Sequence, residues 1–315
     1  MDLLRCLGFV IKAEKSCIKP QQIRKFLGFV FNTTDLSIYL PPDKRNKIVQ
    51  LVNKFSLLPT CTIREFSQLI GVLVAACPAV KYVWLYTKTL ERQKYLSLTY
   101  NNNNFEANIK LSEHILPDLQ WWKHNIYSAS NDMRPDEEFS LEIFTDASRT
   151  GWGAYCNNKR VNGGWKDVEL SFHINYLELH AIFMALKCFA RDLHDCAILL
   201  QVDNTTAISY INRMGGIQFC HLLNLAKSIW QRCEQRGIWL YASYINTKDN
   251  VEADQESWKI NIDTEWELAD WAFQSIVHTF GQPEIDLFAS RTNAKCKNYI
   301  SWKRDPNAIK VCVYR

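Results

Sequence analysis

The chain has 315 residues, 47% of them hydrophobic and 22% charged. That length suits roughly two domains, and the composition can bury real cores, which excludes disordered and fibrous classes. The 37 basic and 33 acidic residues leave a net charge of +4, which excludes a strongly basic nucleic-acid tail. The distribution is uneven: residues 1–60 carry 10 Lys/Arg against 4 Asp/Glu, whereas residues 141–258 carry 11 against 13. A slightly acidic block in a nucleic-acid enzyme would need bound metal to approach an anionic backbone.

The 11 cysteines contain no C-x-x-C pair and no zinc-site spacing, so they read as reduced, small apolar residues of an intracellular, cytoplasmic or nuclear protein. Arg5 interrupts any signal-peptide layout. The most apolar stretch, Leu69 to Val80, contains Pro78 and is too short for a bilayer span, so no membrane association is expected.

In chain order, residues 23–40 read as a hairpin: Phe26 to Phe31 as one aromatic strand, Asn32 to Asp35 as the turn, Leu36 to Leu40 as the second strand. A helix follows from Pro42 to Phe55. Thr62-Ile-Arg-Glu65 has capping-box spacing and predicts a second helix that ends before Pro78. Asn101 to Asn104 reads as a loop and Leu111 to Ile126 as a helix. Ser128 to Glu138 is the best linker. Beyond it, strands are expected at Leu141–Thr145, Gly151–Cys156 and Val161–Trp165, with a turn at Asn157-Asn158. A helix carries the stripe Leu179, Ile182, Phe183, Leu186, Ala190 and Leu193. Then come a strand at Ala197–Val202, helices near 205–213 and 218–236, a strand at Ile238–Ile245 and a helix from about Val251. The order βββαβααβα predicts an α/β domain with a mixed five-stranded sheet.

Four acids stand out. Asp146 and Asp203 each end an apolar strand, and Glu178 and Asp254 stand in the first turns of helices. A carboxylate at such a strand end is partly desolvated and needs a partner or a cation. Oxygen-only acidic sites suit Mg²⁺ or Mn²⁺. Taken singly, each acid has a structural reading: Asp146 and Asp203 as caps, Glu178 and Asp254 as charges favoured at helix N-termini.

The neighbours of these acids carry a resemblance. Phe144-Thr-Asp-Ala-Ser148, Gly151-Trp-Gly-Ala154, Gly163-Gly-Trp165, His173-Ile-Asn-Tyr-Leu-Glu-Leu179, Val202-Asp-Asn-Thr-Thr-Ala207 and Asn250-Val-Glu-Ala-Asp254 together resemble a retroelement ribonuclease H domain over residues 139–260. The resemblance implies a ribonuclease H-like fold and cleavage of the RNA strand of an RNA–DNA hybrid. Asp146, Glu178, Asp203 and Asp254 would hold two Mg²⁺ or Mn²⁺ ions. Ser148, Asn204, Thr205 and Asn250 would lie at the nucleic acid. Two departures are visible. The loop Tyr244 to Asp249 has no histidine where family members often carry one, and Gln255-Glu-Ser-Trp258 lacks the basic residue expected after Ser257.

Residues 1–127 resemble the end of a reverse transcriptase palm with its thumb and connection, through Leu7-Gly-Phe-Val-Ile11, Glu14-Lys-Ser16 and Lys25-Phe-Leu-Gly-Phe29. No Asp-Asp dipeptide occurs, so the resemblance does not imply DNA synthesis. Of the N-terminal basic residues, Lys25 and Lys44 are the expected phosphate contacts. Trp121-Trp122, Trp152 and Trp165 read as packing residues, and His173 and His180 as structural. Residues 261–315, with Pro283 to Arg291 and Ser301 to Pro306, resemble the segment after ribonuclease H in DIRS-like, tyrosine-recombinase retroelements. The chain is thus expected to be a polyprotein fragment whose partners are the hybrid and the rest of a reverse transcriptase. The alternative is a non-catalytic nucleic-acid-binding relic, or a piece that completes a partner transcriptase.

Overall fold

A computed structural model describes residues 2–12, 19–133, 138–166, 168–258, 268–287, 289, 294–300 and 309. The Glu14-Lys-Ser16 segment, residues 134–137 of the linker, much of the Pro283–Arg291 segment beyond Leu287 and all of Ser301–Pro306 lie outside the described residues.

After a short helix α1 (Asp2–Cys6), the first half opens on strands β1 (Ile23–Phe26), β2 (Phe29–Asn32) and β3 (Ser37–Tyr39). The expected single strand from Phe26 to Phe31 is two strands. Phe26 pairs with Phe29, and between them Leu27 (φ 48°) and Gly28 (φ 82°) are both left-handed, the backbone of a tight two-residue hairpin turn. Helix α2 (Pro42–Leu57) has proline in its first turn, where the missing N–H is not needed, and buries Ile48, Val52 and Phe55. Strand β4 (Thr60–Thr62) leads into α3 (Ile63–Val74), which carries the expected capping box. Thr62 Oγ1 accepts the Glu65 amide at 3.2 Å, and Glu65 Oε2 accepts the Thr62 amide at 3.0 Å.

Besides α1 and β4, further elements here differ from expectation. Helix α4 (Lys88–Tyr100) buries only Leu90 and shows no apolar stripe, and β5 (Asn108–Lys110) pairs with β4. The helix expected from Leu111 is shorter, a 3₁₀ turn at Glu113–Ile115 running into α5 (Leu116–Asn125). The two residues of β6 (Asn131–Asp132) leave the expected linker and pair with β3.

The second half follows the expected order. Strands β7 (Leu141–Ala147), β8 (Gly151–Cys156) and β9 (Lys159–Gly164) form an antiparallel meander, turned at Asn157 (φ 46°) and Asn158 (φ 62°). Then come α6 (Ile174–Phe189), β10 (Ala197–Val202), α7 (Thr205–Asn212), α8 (Cys220–Glu234), β11 (Trp239–Tyr244) and α9 (Val251–Trp258). The sheet order is β11-β10-β7-β8-β9, with β10 parallel to both β7 and β11: the expected mixed five-stranded α/β sheet. Every residue of β8 except Tyr155 is buried, so both faces of the sheet are covered, with α6 and α9 packed against it. The α6 stripe holds in part: Leu179, Ile182 and Leu186 are buried, as is the C-cap Ala190, but Phe183 is half-buried and Leu193 lies beyond the helix, which ends at Phe189. Helix α10 (Asp270–Phe280) and the parallel pair β12 (Ile285–Leu287) and β13 (Asn298–Ile300) follow. No helix among the described residues is long and apolar enough to cross a membrane.

The halves share one buried cluster. At the seam Tyr82, itself left-handed (φ 61°), packs against Trp230 and Trp239 and donates its hydroxyl to the Ile238 carbonyl at 2.8 Å. Tyr86 stacks on Trp121 with centroids 4.0 Å apart. Both donate to Glu234, Trp121 through Nε1 at 2.9 Å and Tyr86 through its hydroxyl. Lys227 donates to fully buried Asp118, whose carboxyl burial still holds above the ordinary range. A buried ion pair is costly to break and cheap to replace. Lys227→Ala should therefore lower unfolding free energy by about 3 kcal/mol in urea titrations, and the double variant Asp118→Leu, Lys227→Met should recover most of it.

Candidate metal centre

Asp146 and Asp203 meet because β7 and β10 are parallel neighbours in a fixed register. Val202 pairs with Thr145, so the next residue of each strand is an aspartate at the same edge of the sheet. Glu178 joins them from the second turn of α6, which packs over β7. One carboxylate oxygen from each of Asp146, Glu178 and Asp203 lies within 4.8 Å of the others. Asp146 and Glu178 are buried and Asp203 is half-buried.

The fourth expected acid, Asp254, stands apart from this trio. Its Oδ1 accepts the Trp258 indole N–H at 3.2 Å, while its charge still reaches Asp146. Its position depends on how closely α9 approaches the sheet, and Gly153 of β8 makes the approach possible. A Cβ there would fall 2.2 Å from the Ala253 carbonyl oxygen and 2.4 Å from the Ser257 amide nitrogen. Two side chains then fasten α9 at its ends. Asn250 Nδ2 donates to the Thr145 carbonyl at 3.0 Å, and Ser148 Oγ donates to the Ser257 carbonyl at 2.6 Å. Ser148 and Asn250, expected at the nucleic acid, are buried and belong to the frame of the site.

Other expected contacts are placed as follows. Asn204 is the N-cap of α7, accepting the Ala207 amide at 2.9 Å, and donates to Asn175 Oδ1 at 3.1 Å. Thr205 is exposed and lines a groove of about 550 Å³ with Thr206, Arg213 and, from α4, Lys88. Lys25 is paired with Asp43 at 3.6 Å, and Lys44 Nζ lies 5.0 Å from the Phe29 ring centroid; both sit in the first half. His173 caps α6 by accepting the Asn175 amide at 3.2 Å, and His180 stacks on Trp165, both structural as read. Glu256, in the segment that lacks the expected basic residue, is buried and accepts from Asn162 Nδ2. In the loop without a histidine, Thr247 Oγ1 donates to Asp203 Oδ2 at 2.8 Å, a contact that nothing in local spacing signals.

Burial, with smaller contributions from Asp203 and Asp254, pushes Asp146 up to about 6. Burial, then the charges of Asp146 and Asp203, pushes Glu178 up to about 9. Glu178 Oε2 is sealed from solvent without a hydrogen-bond partner. A buried acceptor without a donor is rare and costly. A hard divalent cation would satisfy it, and three carboxylates converging with no sulfur or imidazole among them fit Mg²⁺ or Mn²⁺.

Raised carboxyl values carry a sign. The folded state keeps protons that the unfolded state releases near pH 4, so stability falls as pH rises from there through about 6 and about 9. In EDTA the melting temperature should be lower at pH 8 than at pH 5, Mg²⁺ should raise it at pH 8, and Glu178→Gln should flatten both responses. Gly153→Ala should cost about 1–3 kcal/mol by overpacking and, by pushing α9 outward, should weaken Mn²⁺ binding in a calorimetric titration.

No protein-family model matches the chain. The enzymatic polyprotein of Carnation etched ring virus is 25% identical over an alignment 226 residues long, which covers 67% of this chain and 31% of that polyprotein. Similar solved structures include RNase H1 of the halophilic archaeon Halobacterium salinarum NRC-1 (16% identity, 37% of this chain and 92% of that chain, TM-score 0.31). LC11-RNase H1 in complex with RNA/DNA hybrid is another (17% identity, 37% and 93%, TM-score 0.33). The foamy viral protease-reverse transcriptase in complex with RNA/DNA hybrid is a third (17% identity, 72% and 30%, TM-score 0.30). The chain thus spans about a third of the length of the viral polyprotein it resembles.

Proposed function

We propose that residues 139–260 hydrolyse the RNA strand of RNA–DNA hybrids as part of a retroelement or viral reverse transcriptase. The observation that carries this reading is the trio Asp146, Glu178 and Asp203, one oxygen of each within 4.8 Å of the others at the edge of a ribonuclease H-type sheet. These residues, with Asp254 turning in from α9, would hold two Mg²⁺ or Mn²⁺ ions, which when bound would acidify the attacking water and offset charge on the leaving oxygen. Asn204 and exposed Thr205, at the start of α7, would face the hybrid backbone next to Asp203. The groove beside Thr205 has Arg213 on its wall, whereas the charge of Lys88 there is paired with Glu91 at 2.9 Å. Lys25 and Lys44 would add sequence-independent phosphate contacts. Ser148 and Asn250 serve by holding α9 in place. The finer assignment to DIRS-like elements is a proposal resting on Pro283–Arg291 and Ser301–Pro306, and the remainder of a reverse transcriptase is a proposed partner.

The loop from Tyr244 to Asp249, with no histidine, favours a second reading: a chain that holds hybrid without cutting it. One assay separates the two. The full chain is given labelled hybrid in Mg²⁺, Mn²⁺ or EDTA beside Asp203→Asn, and cleavage and fluorescence anisotropy are read together. The account expects metal-dependent cutting of RNA, reduced at least about a hundredfold in the variant, or roughly 2.7 kcal/mol of barrier. Binding without cutting would establish the second reading, and cutting of double-stranded DNA would make this a different nuclease.

A further inference from the structure

The loop between β11 and α9 is fixed at both ends to the strands that carry the acids. The Ile245 amide donates to the Val202 carbonyl at 3.1 Å, one residue before Asp203. Asn250 Nδ2 donates to the Thr145 carbonyl at 3.0 Å, one residue before Asp146. Between these anchors Asn246 builds the turn: its Oδ1 accepts the Lys248 amide at 3.0 Å, and its carbonyl accepts the amides of Asp249 at 2.8 Å and Asn250 at 3.1 Å. The Thr247 carbonyl shares the Asn250 amide at 3.3 Å, but its hydroxyl takes no part in the turn, although a threonine hydroxyl could bond its own neighbourhood. Instead Thr247 Oγ1 reaches Asp203 Oδ2, 44 positions away in sequence, at 2.8 Å.

Thr247 is exposed, so this bond adds little to folding. Its effect falls on the carboxylate. The terminal torsion of an aspartate is broad, and Asp203, being only half-buried, is not locked by packing. A donor on Oδ2 fixes the plane of the carboxylate and decides which lone pairs are left to face Asp146 and Glu178. We infer that Thr247 is a positioning residue, whose hydroxyl holds the Asp203 carboxylate in the orientation that accepts a divalent cation. The inference rests on the metal-centre reading above. Partners that orient metal ligands typically change metal affinity by about 10–100-fold when removed, and Thr247, holding one ligand by one bond, belongs at the low end.

The test uses the full chain and Mn²⁺ alone, with free Mn²⁺ read by electron paramagnetic resonance, across wild type, Thr247→Val, Thr247→Ser and Asp203→Asn. Melting temperatures in EDTA are recorded beside it. The expected result is that Thr247→Val binds Mn²⁺ about tenfold more weakly than wild type, that Thr247→Ser restores binding to within about twofold, and that metal-free melting temperatures agree. Equal affinity of wild type and Thr247→Val would overturn the inference while leaving the metal centre intact. A matching fall in the metal-free melting temperature of Thr247→Val would mark a structural role and overturn it as well. Wild type binding no more Mn²⁺ than Asp203→Asn would remove the metal-centre reading itself, and the inference with it.

Discussion

Charge repulsion among Asp146, Glu178 and Asp203 is the constraint around which this sheet edge is arranged. Two unit charges 4.8 Å apart repel by roughly 3 kcal/mol at an effective dielectric of about 20, and a whole domain is stable by only about 5–15 kcal/mol. Three charged carboxylates at this spacing, two of them buried, would consume much of that margin. The fold can respond in two ways: by retaining protons, as the raised values of Asp146 and Glu178 show, or by accepting cations. Nearby donors, Ser257 and the Ala147 backbone toward Asp146, Ala147 toward Glu178 and Thr247 toward Asp203, offset the crowding only in part. The register of β7 against β10 fixes two of the acids, α6 packed on the sheet fixes the third, and α9, admitted by Gly153 and tied by Asn250 and Ser148, carries the fourth. An arrangement that resists its own charge in this way is expected where function, rather than stability, has chosen the residues.

The seam between the halves shows the opposite economy. Its charges are paired: Asp118 with Lys227, and Glu234 with the donors of Tyr86 and Trp121. Buried pairs of this kind add little net stability, yet they tolerate few alternative dockings, because a slipped interface would strand a charge in an apolar setting. Together with the Tyr82–Trp230–Trp239 cluster they hold the first half in one relation to the acidic edge. The groove lined by Lys88 from one half and by Thr205 and Arg213 from the other is built across this seam.

How much could be read in advance follows from the range of the interactions. Asp146 and Asp203 were legible because a charged residue at the end of an apolar strand is anomalous within a few residues of sequence. The Thr62–Glu65 capping box and the Asn157-Asn158 turn are equally local, and both are present. The Leu27-Gly28 turn was hidden by aromatic residues on either side, which read as one continuous strand. Helix α4 offered no periodic stripe, since only Leu90 is buried. Asp118, Lys227 and Glu234 look like ordinary surface charges until folding brings partners more than 100 positions apart together. Ser148 and Asn250 read in sequence as nucleic-acid contacts, but in three dimensions they are buried and fasten α9. The bond from Thr247 to Asp203 has no sequence signal of any kind.

The central claim is that the three carboxylates form a site for divalent cations. Its most direct test is a crystal of the full chain grown with Mn²⁺ and measured at a wavelength where manganese scatters anomalously. The account predicts an anomalous peak bounded by oxygens of Asp146, Glu178 and Asp203, at distances of about 2.0–2.3 Å. Density showing the three carboxyl groups in contact with one another or with water alone, and no anomalous peak between them, would contradict it.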